Sequence, residues 1–240
     1  MIVRWEVLRS AARGPVVTRT LIALCCLLFL LGPLSGFDPW YGTGDRLMVA
    51  QSAYLRRWGV VPDELFGGSA RAALTPLTAL FLHGSWLHLL GNMLFLHVFG
   101  GLLEERMGRL EYVLFYLVCG YLALAAYAAA NVSSDQTLIG ASGAISGVLG
   151  AYLCLFPRAR VTSLLPFLFF LPLRFPAWVV LVFWFAVQWL AQHRAGDNPS
   201  VAYLAHLVGF SLGFLYAWGR YRRTTRVNGP ATATEGDSQP

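Results

Sequence analysis

Residues 110–130 read LEYVLFYLVCGYLALAAYAAA, with Glu111 as the single charge in the run. About 20 consecutive, largely apolar residues suffice for a helix to cross the hydrocarbon of a bilayer, so this stretch reads as a membrane span. Its neighbours have the same character. Residues 87–103 precede it and residues 142–156 follow it, with further apolar runs at 20–36, 175–192 and 201–218. The run at 142–156 is short. A short helix can begin below the membrane surface only when the loop before it is buried in protein. The expected fold is an all-α membrane protein, a bundle of six transmembrane helices with a long first outer loop.

Composition agrees with that reading. Of 240 residues, 57% are hydrophobic and only 12% charged, whereas a soluble domain carries about 25% charged residues. The formal charge is +6 and every positive side chain is arginine, because the sequence has no lysine. These arginines sit in short flanks between apolar runs, as topology signals do, and not beside aromatic readers as in a nucleic-acid surface. Cys25, Cys26, Cys119 and Cys154 all lie inside apolar runs without a C-x-x-C spacing. They read as small packing residues, with neither a disulfide framework nor a zinc site.

The first run has the length of a signal-peptide core, but no A-x-A-like cleavage site follows it, and it reads as a retained helix. Residues 37–85 are polar by comparison and include an amphipathic piece at 47–58 that suits the membrane interface. Residues 161–173 are apolar but short, contain Pro166 and Pro172, and have Arg158, Arg160 and Arg174 on both flanks. A re-entrant or interfacial excursion keeps both flanks on one side, so the count stays at six spans. Arginine placement then puts both termini in the cytoplasm. Residues 1–19 form a cytoplasmic N-terminal segment, 20–219 the membrane domain, and 220–240 a polar, disordered cytoplasmic tail.

Polar groups inside spans are costly and mark function by default. Under this topology the second, fourth and sixth spans all start at the outer face, and each carries its main polar residues near that start. The second has His88 and Asn92, four residues apart and so on one helix face. The fourth has Ser142 and Ser146, and the sixth has His206. Gly143, Gly147 and Gly150 on the fourth span and Gly209 and Gly213 on the sixth allow close backbone approach in lipid, which would bring Ser142 to His206. A serine hydroxyl becomes a nucleophile when a neighbouring base takes its proton, and imidazole titrates near neutrality. No carboxylate lies within the fourth or sixth span, so a Ser-His dyad is expected, with Asp135 and Asp197 as the outer-loop alternatives for orienting the base. The start of the fourth helix offers free N–H groups and a positive dipole end for an oxyanion, and Asn92 and His88 are candidate side-chain donors. No H-E-x-x-H metal motif occurs. Gly42-Thr43-Gly44-Asp45 lies in a polar loop and reads as a turn.

Taken together, Gly140-Ala141-Ser142-Gly143 and Ala205-His206-Leu207-Val208-Gly209 resemble the rhomboid intramembrane serine proteases. So do residues 83–92, HGSWLHLLGN, with the H-x-x-x-N pattern of His88 and Asn92, and residues 104–108, EERMG, with the family's E-x-R-x-G stretch. The likeness covers roughly residues 70–219. It implies a six-helix rhomboid-like bundle in which Ser142 is the nucleophile, His206 the base, and His88, Asn92 and the Ser142 amide the oxyanion donors. It also implies transmembrane protein substrates, the lipid bilayer as the other partner, no cofactor, no metal and no nucleic acid. A multi-pass location in a bacterial cell (inner) membrane follows the same likeness. Two features depart from some members: Ser146 stands where an aromatic residue packs on the base, and Arg57-Trp58 reverses a Trp-Arg pair. The alternative within the family is a non-catalytic membrane chaperone or dislocation factor. Among the spans, the fifth, with Trp178, Phe183, Trp184, Phe185 and Trp189, reads as the lateral gate.

The arginine distribution makes a direct topological prediction. With the four native cysteines replaced, a cysteine at Thr224 or Ala159 should resist a membrane-impermeant thiol reagent in intact cells, and one at Ser134 should react. Labelling of position 224 from outside would mean that residues 161–173 cross the membrane.

Overall fold

The computed structural model describes residues 14–165, 171–194 and 201–221. The chain is mostly helical. In order it forms α1 (Val16–Leu31), a 3₁₀ turn (Pro39–Tyr41), α2 (Gly44–Trp58), α3 (Pro62–Leu65), α4 (Ala70–Ala79), α5 (Trp86–Met107) and α6 (Arg109–Ala130). There follow α7 (Ser142–Leu155), β1 (Arg160–Leu165), β2 (Leu171–Pro176), α8 (Ala177–Arg194) and α9 (Tyr203–Tyr221). Among the described residues two helices, α5 and α6, are each long and apolar enough to cross a membrane, while α1 and α7 are shorter apolar helices.

The central element is α7. Every residue from Gly143 to Tyr152 is buried, as expected of a helix that is apolar or small all round. It packs against α5, α6, α8 and α9. Its contact with α9 is backbone on backbone. A methyl group on Gly209 would overlap the carbonyl oxygen of Gly143, one on Gly213 that of Gly147, and one on Gly150 that of Phe210. On the opposite flank, a methyl at Gly147 would press on Cys119 of α6 at 2.9 Å. Glycine is therefore required at these crossings by space alone.

The helices α5 and α6 form a hairpin closed by one residue. Gly108 caps both, with φ +83, and its N–H donates to the Glu104 carbonyl at 2.8 Å. A positive φ of this size suits glycine. The Glu104 side chain turns the other way. It is buried, and its carboxylate accepts from the N–H groups of Val17 and Thr18, at 2.9 and 2.8 Å, and from the Thr18 hydroxyl at 2.9 Å. Pro15 supplies no side-chain cap to α1, so a residue from α5 satisfies the orphan donors of the first turn and meets its positive dipole end. This explains a shift from expectation. The first helix begins at Val16, inside the segment read as cytoplasmic, and it ends at Leu31 before Gly32 and Pro33. The start is set by Glu104, which lies far away in the chain.

One element departs from the all-α expectation. Both ends of the segment 161–173, read as re-entrant or interfacial, lie in an antiparallel pair, with Arg160 opposite Pro176 and Leu165 opposite Leu171. The ends of this segment therefore lie side by side. A two-stranded ribbon consists only of edges, so Pro172 is tolerated in it. The proline pattern speaks against a helix and is silent about pairing. The amphipathic piece at 47–58 lies within α2, which buries none of its residues. The expected tail at 220–240 begins inside α9, which runs to Tyr221, and its remainder lies outside the described residues, as do residues 1–13.

The glycine crossing yields a paired prediction. Gly213→Ala should lower thermal stability by about 1–3 kcal/mol or more, the usual range for overpacking. Gly219→Ala, where nothing lies within 4 Å of the added methyl, should be neutral or stabilise by about 0.5–1 kcal/mol. Melting of both variants in detergent checks the contrast, and equal effects would refute the crossing as the tight point.

Candidate active site

The site forms where the starts of α5, α7 and α9 meet. Helix α5 begins at an N-cap, Ser85, whose hydroxyl accepts from the His88 N–H at 3.2 Å. This cap fixes the first turn and with it the direction of His88. The Gly84 N–H donates to His88 Nδ1 at 3.4 Å, which leaves Nε2 as the nitrogen bearing the ring proton. His83 lies edge-on to His88, with ring centroids 5.1 Å apart, and is buried behind it. One turn further along, Asn92 is buried and its side-chain nitrogen has no hydrogen-bond partner within the described residues. A buried amide donor without a partner is expensive in a finished fold.

The segment before α7 is pinned from below. Val60 and Leu138 exchange two backbone hydrogen bonds, of 2.9 and 2.7 Å, and the Gly140 N–H donates to the Ala79 carbonyl at 2.8 Å. Leu138, Gly140 and Ala141 are buried, so the short α7 does begin inside protein. Gly140 has φ +118, and a Cβ there would stand 2.7 Å from His88 Nε2 and 3.8 Å from Asn92 Nδ2. Two side-chain donors thus converge on one small volume beside the start of α7. The first N–H groups of that helix have no intrahelical acceptor.

Ser142 opens α7 and His206 lies in the first turn of α9. His206 Nε2 lies 2.8 Å from Ser142 Oγ. On its other side His206 Nδ1 lies 2.8 Å from Gln188 Oε1 of α8. Trp184 and Tyr203 flank the ring, at centroid distances of 6.1 and 6.4 Å. All four residues singled out in the sequence, Ser142, His206, His88 and Asn92, line one cavity of about 690 Å³. Gln188 and Trp184 form part of its wall.

Ser146 has a different role from Ser142. It is buried, and its hydroxyl donates to the Ser142 carbonyl at 2.6 Å, which leaves its oxygen without a base. The aromatic neighbours of the base come from α8 and from α9 itself, so the site lacks nothing by having serine at 146. Sequence reading passes over Gln188. Its signal is an amide within the apolar and aromatic part of α8, one turn after Trp184 and ahead of the polar end at Gln192–Arg194, hidden among residues that read as a gate. Asp135, weighed as an orienting group, is replaced in that position by Gln188, and Asp197 lies outside the described residues.

A hydroxyl, an imidazole bonded to it and a cluster of donors beside them thus meet at helix starts within an apolar bundle. The rhomboid domain model matches residues 71–223, and the chain belongs to the rhomboid family of integral membrane proteins. It is 36% identical over 142 residues to Rhomboid protein 1, mitochondrial, of Saccharomyces cerevisiae, a match covering 58% of this chain and 39% of that protein. Similarity extends to two Arabidopsis thaliana proteins. RHOMBOID-like protein 5 is 32% identical over 130 residues (53% of this chain, 40% of the relative) and RHOMBOID-like protein 1 is 35% identical over 141 residues (58% and 32%). The chain thus spans two fifths or less of the length of these relatives.

The distinct surroundings of the two serines predict selective chemistry. An active-site-directed serine probe should label Ser142 in the intact protein, and Ser146→Ala should leave that labelling in place. His206→Ala should remove it. Mass-spectrometric mapping of the labelled peptide reads the outcome, and a label on Ser146 would reverse the assignment.

Proposed function

We propose that this protein is an intramembrane serine endopeptidase that hydrolyses peptide bonds in or near transmembrane segments of other membrane proteins. The observation that carries the proposal is the 2.8 Å contact between His206 Nε2 and Ser142 Oγ, with unpaired donors beside it. Ser142 Oγ attacks the scissile carbonyl carbon as His206 Nε2 takes the hydroxyl proton. The carbonyl oxygen becomes an oxyanion held by Asn92 Nδ2, His88 Nε2–H and the Ser142 amide. His206 passes its proton to the departing amine, and an acyl-enzyme remains. Water, deprotonated by the same imidazole, then releases the acid product and restores Ser142. The chemistry assigned to these residues draws on no metal or organic cofactor.

The wider reading belongs to the same proposal. Helices α1, α5, α6, α7, α8 and α9 are the six spans, with the membrane domain covering residues 20–219 in outline. The segment 32–85 is the long first outer loop, and both termini face the cytoplasm of a bacterial cell. The arginine flanks and the shared depth of the three helix starts support this arrangement. The cavity supplies the water that hydrolysis needs within an apolar slab. Substrates are transmembrane segments approaching from lipid.

The test is kinetic. Ser142→Ala and His206→Ala should each abolish cleavage of a transmembrane substrate in liposomes while the protein still inserts, and the double variant should be little worse than either. Asn92→Ala should lower kcat by about 10²–10³-fold with KM and melting temperature nearly unchanged, because the oxyanion needs the donor more than the ground-state carbonyl does. A packing role for Asn92 would instead lower stability, by about 0.6 kcal/mol on average for such contacts, and leave kcat alone. A folded wild type that cleaves nothing and takes no serine probe would hand the protein to the chaperone class.

A further inference from the structure

The hydrogen bond between Gln188 and His206 lies outside the dyad, and it constrains the base. A histidine ring nitrogen either donates or accepts, and in the neutral ring the two nitrogens play opposite parts. An amide oxygen has no proton to give. With Gln188 Oε1 at 2.8 Å from Nδ1, Nδ1 must carry the hydrogen and Nε2 must present its lone pair. The lone pair then faces Ser142 Oγ at 2.8 Å, which is the protonation state a general base requires. We infer that Gln188 is a positioning residue that holds His206 in its base-competent tautomer, an inference that rests on the Ser142–His206 reading above.

The location of Gln188 gives the bond a second consequence. On α8 the buried residues are Ala177 and Leu181, both in the first half of the helix. Beyond them Phe183, Val187, Trp189 and Leu190 are exposed. From Trp184 onward, α8 is held to the bundle through Trp184, which packs on His206 and Phe210, through Phe185, which packs on Phe210, and through Gln188. A neutral amide serves this place better than a carboxylate would in an apolar bundle, since it needs no countercharge when α8 moves. Outward displacement of this half-helix removes the acceptor at Nδ1 and frees the ring to take either tautomer. Base alignment and the position of α8 are thereby coupled.

The test uses the full chain labelled with ¹⁵N-histidine in bicelles at mildly alkaline pH, where His206 is assigned by its loss in His206→Gln. Wild type should show a protonated Nδ1 and an unprotonated Nε2, and Gln188→Leu should lose that preference. In the cleavage assay Gln188→Leu should lower kcat about 10–10²-fold, a fraction of a full general-base contribution, with KM and melting temperature little changed. Gln188→Glu, which keeps an oxygen in the same place, should retain the tautomer and recover part of the kcat lost in Gln188→Leu without reaching wild type. A wild-type ring protonated on Nε2 would overturn the inference, because the amide would then be donating. So would a Gln188→Leu variant with unchanged kcat, or one in which only KM rises, since that marks a substrate contact. Failure of the serine-protease reading is seen separately, as wild-type cleavage that survives Ser142→Ala, and the tautomer measurement stands apart from activity altogether.

Discussion

The close crossing of α7 and α9 is the contact on which the rest of the molecule depends. A side chain on Gly150, Gly209 or Gly213 would overlap a carbonyl oxygen of the facing helix, while one on Gly143 or Gly147 would press on Ala123 or Cys119 of α6. In lipid no hydrophobic force presses two helices together, and association relies on packing and hydrogen bonds instead. Removing side chains from the interface lets many weak dispersion contacts form at short range. The same proximity carries Ser142 to His206. A hydrogen bond between side chains on two helices demands that the backbones lie unusually close, because serine is short.

A second constraint sets the position of the donors. The segment before α7 is tied by backbone hydrogen bonds to Val60 and Ala79. Gly140 gives way to the rings and amides of α5 by having no side chain and a φ that other residues avoid. His88 and Asn92 can then reach the start of α7. Buried Glu104, at the far end of α5, holds α1 by its first turn. One helix therefore bears the proposed oxyanion donors at one end and the anchor for α1 at the other.

Helix α8, whose buried residues Ala177 and Leu181 both lie near its start, touches the base most directly after Ser142. Trp184 shields the His206 ring, and Gln188 bonds its far nitrogen. The aromatic run that reads as one patch in sequence divides in space: Phe183 is 70% exposed while Trp184 faces the site. Any account of α8 as a gate has to treat the two residues separately, since one is exposed and the other faces the base.

Much of this was legible in the residues alone. Apolar length exposed the helices, because a helix must satisfy its backbone internally in lipid and so leaves long uncharged runs. Polar residues at the starts of three of those runs picked out Ser142, His206, His88 and Asn92, since such groups are too costly in a membrane to be incidental. Glycine spacing indicated which two helices come close. What only the tertiary structure decided depends on partners far apart in sequence. The start of α1 is set by Glu104, 86 residues beyond Thr18. Strand pairing at Arg160–Leu165 and Leu171–Pro176 is absent from the proline pattern, because a ribbon's hydrogen bonds are made by backbone and not by any residue type. The partner of His206 Nδ1 is Gln188, 18 residues earlier. An amide in an aromatic helix acquires meaning only when the rotation of that helix aims it at the ring, and rotation is fixed by packing, which no local spacing encodes.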